Sequence, residues 1–198
     1  MSSTREQITS LLLSVKRDGI QNLVEYLEKS TFFIDPASCQ DHNSSEGGLA
    51  EHSLKMYHCL KNLADSNKEI ANFEESLIII GLLHDICLAG TFQKVTKNLP
   101  LKGSDGKNKK GENGKIIFIE KESYDSFPEA NLPYPHGQLS AMIIKKYIKL
   151  TKLEDLAIQW HKGAYDISQN QWPLLKRAQK THRIILLSHF ADLESSLY

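Results

Sequence analysis

The sequence predicts an all-α chain folded as a single domain, residues 1–198, with a small β-hairpin inserted around residues 92–120. Apolar residues recur at helical spacing through most of the chain. The exception is a stretch rich in glycine, asparagine and lysine from Phe92 to Glu120, and no domain linker or internal repeat interrupts the remainder. A composition of 40% hydrophobic and 24% charged residues over 198 positions is that of one globular domain able to bury a sizeable core.

The first helix is expected over residues 6–28, packed on the core through Ile8, Leu11, Leu12, Val15, Ile20, Leu23, Val24 and Leu27, with Gly19 as the point where it would break. A polar, turn-rich segment from Asp35 to Gly48 precedes a second helix, in which Leu49, His52, Met56, Cys59, Leu60 and Leu63 share one stripe, so His52 faces inward. The third helix, from about Phe73 to Ile86, is apolar on nearly every side and therefore buried, and His84 and Asp85 sit at its end. In the hairpin, FQKVTKNL and KIIFIE flank a long, mobile tip from Gly103 to Gly114. Pro128, Pro133 and Pro135 mark an irregular entry to a helix beginning near Gly137, with His136 at its start. A short helix from Leu153 to His161 ends before Gly163. A last helix, from about Pro173 to Leu197, carries His182, Ile185, His189 and Asp192 at spacings of 3, 4 and 3.

Lysine plus arginine and aspartate plus glutamate both total 24, so no overall basic field exists to hold nucleic acid or an anionic membrane. Phosphate recognition, where present, must be local. Cys39, Cys59 and Cys87 follow no metal or disulfide spacing. The amino terminus lacks the pattern of a signal peptide, and the most apolar stretch, Leu77 to Leu83, is far short of the roughly 20 residues of a membrane span. A reducing, cytoplasmic setting is expected.

His52, His84, Asp85, His136, His161 and Asp192 all fall at the end or on the inner face of an expected helix. An unpaired carboxylate buried in apolar surroundings costs several kcal/mol or more, so something must compensate it. A divalent cation does so directly, because neutral imidazole and carboxylate are both ligands. Packed, hydrogen-bonded histidines are the plainer alternative for each residue taken alone.

The order of motifs resembles the HD superfamily, whose pattern is a histidine, an adjacent His-Asp pair and a distant aspartate. GGLAEHS supplies His52, LLHDI supplies His84 and Asp85, and SHFADLE supplies Asp192. The resemblance covers roughly Phe32 to Tyr198. It implies an HD-domain helical bundle in which these four residues ligate one metal ion. His136, in PYPHGQ, and His161, in IQWHKG, match in chain order the histidines that hold a second ion in binuclear members, with Asp85 as the bridge. One or two divalent ions are thus expected, from among iron, manganese, nickel, cobalt, zinc and magnesium.

The implied activity is hydrolysis of a nucleotide phosphomonoester or phosphodiester by metal-activated water, with His84 and Asp85 at the catalytic centre. Many catalytic members carry a lysine three residues after the aspartate of the pair, and here that place is Leu88. Lys94, nearby on the hairpin, is the candidate to serve as catalytic and substrate-binding cation instead, and His42 is a second candidate to reach the substrate. With Leu88 in that place, a catalytically weak or inactive nucleotide-binding module is the alternative. The expected partner is a small phosphate ester or nucleotide, with no membrane and no large nucleic-acid surface, and an oligomer is compatible. His189 reads as a hydrogen-bonding support one turn before Asp192, and Trp160 as a core aromatic. His58 and His182 read as structural, and Lys107 to Lys110 as solvated.

Overall fold

A computed structural model describes residues 2–39, 43–67, 70, 73–127 and 134–197. Among them are eight α-helices, short 3-10 turns and one two-stranded antiparallel sheet. None of these helices is long and apolar enough to cross a membrane.

The expected first helix is two. α1 (Thr4–Ser14) starts at a capping box in which the Ser3 hydroxyl accepts from the Glu6 amide and the Glu6 carboxylate accepts from the Ser3 amide. α2 (Ile20–Lys29) starts after Gly19, whose φ of 85° is left-handed and whose Cβ, were one present, would lie 1.9 Å from the Tyr147 carbonyl oxygen. Only glycine satisfies both demands, and the break falls there.

α3 (Gly48–Asp65) and α4 (Glu74–Leu83) form the centre of the molecule, and α3 also packs along α8 (Arg183–Leu197). Leu77 to Leu83 are buried throughout, so α4 is a helix without a solvent face, as the sequence implies. Gly81 lets α3 and α4 approach closely: a Cβ there would meet the Tyr57 Cα at 2.5 Å. Gly81→Ala should therefore overpack the interface and destabilise the fold by about 1–3 kcal/mol, read as a lower urea midpoint.

α5 (His136–Ile144) and α6 (Lys152–Gln159) pack on one another, α6 beginning at a second capping box, Thr151 with Glu154. The expected last helix also divides, into α7 (Trp172–Thr181) and α8, because His182 is extended, with φ of −136° and ψ of 103°. His182 therefore does not continue the stripe of His189 and Asp192. Pro128 and Pro133 lie outside the described residues.

The class is not all-α. Strands β1 (Phe92–Pro100) and β2 (Phe118–Ser126) pair in continuous antiparallel register from Phe92↔Ser126 to Pro100↔Phe118. The chain is a helical body with a two-stranded sheet, and the hairpin runs six residues beyond the expected end at Glu120. The return strand is nearly all exposed, so no buried face imprints alternation on Glu120 to Ser126. The stretch between the strands holds two turns of the same build, eight residues apart. In one the Asp105 carboxylate accepts from the Lys107 amide, and in the other the Asn113 side-chain oxygen accepts from the Lys115 amide. This local repeat is missed by a search for domain-sized periods.

Candidate metal centre

Four side chains converge on one buried point. His52 comes from the middle of α3, His84 caps the end of α4, Asp85 follows it, and Asp192 comes from α8. All four are buried, and one ligand atom from each lies within 4.8 Å of the others. The Nε2 atoms of His52 and His84 are 3.1 Å apart. Asp192 Oδ1 is 3.2 Å from His52 Nε2 and 3.5 Å from His84 Nε2, and Asp85 Oδ2 is 3.6 Å from His84 Nε2.

Backbone and hydroxyl partners orient the imidazoles. His84 Nδ1–H donates to the Gly81 carbonyl at 2.9 Å, and His161 Nδ1–H to the Ile158 carbonyl at 2.7 Å. The Ser195 hydroxyl donates to the Asp192 carbonyl, which leaves its oxygen to accept from His52 Nδ1–H at 3.3 Å. With every Nδ1 engaged as donor, each Nε2 turns toward the centre, where the neutral ring offers the lone pair a metal ligand requires and the protonated ring a donor to the carboxylates.

The donor set fits a cation. Ligand atoms about 2.1 Å from one ion lie roughly 3.0–3.4 Å apart at octahedral to tetrahedral angles. The pairs among His52, His84 and Asp192 are close to this, while Asp85 Oδ2 stands farther out, 3.9 Å from His52 Nε2. Asp192 Oδ1 is buried without a hydrogen-bond partner while facing two bare imidazole nitrogens, and a buried carboxylate oxygen in that state calls for a positive charge. The buried cluster of His52, His84, Asp85 and Asp192 could thus hold a metal ion.

The same fields govern protonation. Burial would raise the carboxyls of Asp85 and Asp192, but the neighbouring imidazoles and Lys162 hold both well below the usual carboxylate range. Burial lowers the His52 imidazole, whereas at His84 the two carboxylates outweigh burial and raise it. Beside the centre, burial pushes the Cys87 thiol up to about 12, which removes it as a thiolate nucleophile.

The other anticipated residues divide. His161 is buried with Nε2 3.1 Å from Asp85 Oδ1, so Asp85 has imidazoles on both its oxygens. His136 is exposed and lines the rim of the cavity over the centre, and its amide donates to the Asp166 carboxylate at 2.5 Å. Lys94 is not at the centre. It pairs with Glu46 at 2.8 Å on an exposed part of β1 and lines a separate hollow with Lys97 and Lys121, beside residues 44–46. His42 lies outside the described residues. His189 supports the site as expected, donating from Nδ1 to the His161 carbonyl at 2.7 Å.

One residue escaped the sequence reading. Lys162 places its Nζ 3.1 Å from Asp85 Oδ2 and 3.5 Å from Asp192 Oδ2. The available signal was its position directly after His161 at the end of α6. Lys162, His52, Asp85, His136, Leu88 and Phe92 all line a cavity of about 410 Å³ that opens the centre to solvent. Comparison of the chain with protein-family models, curated proteins and solved structures finds no match.

Proposed function

We propose that the chain is a member of the HD superfamily and a metal-dependent phosphohydrolase that cleaves a nucleotide phosphomonoester or phosphodiester. The observation that carries this reading is the convergence of His52, His84, Asp85 and Asp192 from three separate parts of the chain on one buried point. A divalent ion held there supplies an activated water and neutralises charge on a phosphoryl group. The histidines contribute fixed lone pairs through their Nδ1–H bonds, and Asp85 carries the negative charge at the cavity floor. A cavity of about 410 Å³ suits a small phosphate ester rather than a polymer. Its apolar wall, Leu88 and Phe92, suits the organic part of such an ester. The free state of Cys39, Cys59 and Cys87 suits a reducing, cytoplasmic setting.

The test is turnover of a nucleotide panel and of bis(4-nitrophenyl) phosphate by protein loaded with manganese. Turnover that disappears in Asp85→Ala is the expected result. One observation favours a second reading, a regulatory nucleotide-binding module: Leu88 presents an uncharged wall to the cavity. Saturable nucleotide binding with no turnover under any metal would select that module. Protein that takes up no divalent ion would end both readings.

A further inference from the structure

Lys162 is held in place from two sides. Gly163 turns the chain with a φ of 60°, and the His189 ring packs where its Cβ would be, at 2.6 Å. The same His189 donates to the carbonyl of His161. The backbone on either side of Lys162 is thereby clamped, and its side chain is directed between the two carboxylates. An ammonium has three N–H donors. Two are accounted for by the ion pairs with Asp85 Oδ2 at 3.1 Å and Asp192 Oδ2 at 3.5 Å, while the side chain remains 29% exposed and lines the cavity. The third donor is left for a ligand in that cavity.

The charge balance points the same way. Two carboxylates against one ammonium leave one net negative charge at the centre. One divalent ion converts that to one net positive charge. A second would leave three positive charges in a buried space where the carboxylates in contact are Asp85 and Asp192. The nearest further imidazole, His161, approaches Asp85 from its other oxygen, and His136 stands exposed at the rim.

We propose that Lys162 is the built-in second cation of the centre: it limits the site to one divalent ion and donates its remaining N–H to a phosphoryl oxygen of the substrate. The proposal rests on the metal-centre reading above. It departs from the binuclear arrangement that His136 and His161 suggest in the sequence.

The experiment is manganese titration of metal-stripped full-length protein, with bound metal counted by mass spectrometry, and calorimetric binding of inorganic phosphate to the manganese-loaded form. Wild type should take one ion per chain. Lys162→Met should take two and, at a loading of one ion per chain, bind phosphate at least tenfold more weakly, and Lys162→Arg should restore a single ion and most of the phosphate affinity. Two ions on wild type overturn the proposal while leaving the metal centre standing. So does a folded Lys162→Met protein that still takes one ion at saturation or, at one ion per chain, binds phosphate undiminished. No ion on wild type overturns the metal-centre reading itself, and this proposal with it.

Discussion

Asp85→Ala should abolish metal uptake and lower manganese-dependent turnover by about a thousandfold or more. Asp85 is the carboxylate with His84 and Lys162 near Oδ2 and His161 at Oδ1, so its removal takes charge from the floor of the cavity and a ligand from the ion. Loss of several kcal/mol of metal-derived transition-state stabilisation corresponds to about a thousandfold, at about 1.4 kcal/mol per decade. A second readout needs no substrate. Manganese at about a hundredfold its dissociation constant stabilises a folded protein by about 2.7 kcal/mol, or roughly 5–11 °C in midpoint for a chain of this size. Wild type should show that shift and Asp85→Ala should not. His136→Ala should keep most of it, because His136 is exposed at the rim rather than among the converging ligands. Equal loss of the shift in both variants would sink the assignment of His136 to the rim.

Much of this centre was legible because burying an ionisable side chain is costly. A histidine on the apolar stripe of α3 or an aspartate on α8 demands a compensating partner, and that demand is visible in the spacing alone. Lys162 was not legible. A lysine after a helix end ordinarily points to water, and here its direction depends on the left-handed turn at Gly163 and the packing of His189, a contact between segments distant in sequence. Lys94 misled for the complementary reason. Proximity in sequence to the His-Asp pair suggests proximity in space, but in the extended hairpin Lys94 meets Glu46 instead. The break between α1 and α2 announced itself through Gly19, whereas the one at His182 has no glycine or proline to mark it. The length of the return strand is not legible because Tyr124 alone on it is buried, and without a buried face a strand has no reason to alternate.

Arg17→Met should destabilise the fold by about 3–5 kcal/mol, a large share of the roughly 5–15 kcal/mol that holds a domain together. Arg17 lies between α1 and α2, and its guanidinium grips both oxygens of Glu154 on α6 at 2.6 Å each. Glu154 is fully buried and also accepts from the Ser76 hydroxyl on α4 at 2.6 Å and from the Thr151 amide at 2.7 Å. One carboxylate thus ties two helices, α4 and α6, and the amino-terminal segment together. Burial would raise the Glu154 carboxyl, but Arg17, Ser76 and Thr151 outweigh burial and lower it. A depressed folded value means that the stabilisation is present above the unfolded carboxyl's ordinary value of about 4.3 and is lost as pH falls through the folded value. In Arg17→Met the sign reverses, because a buried carboxyl without its cation is raised, and the folded state then gains by taking up a proton. Urea midpoints at pH 7, 5 and 4 should therefore converge: wild type weakens on acidification while the variant loses less or recovers. The double variant Arg17→Met/Glu154→Leu, which leaves no buried charge at this position, should regain most of the loss at pH 7. A wild-type minus variant gap that stays constant across this pH range would show that Arg17 acts through packing alone and not through the Glu154 carboxylate.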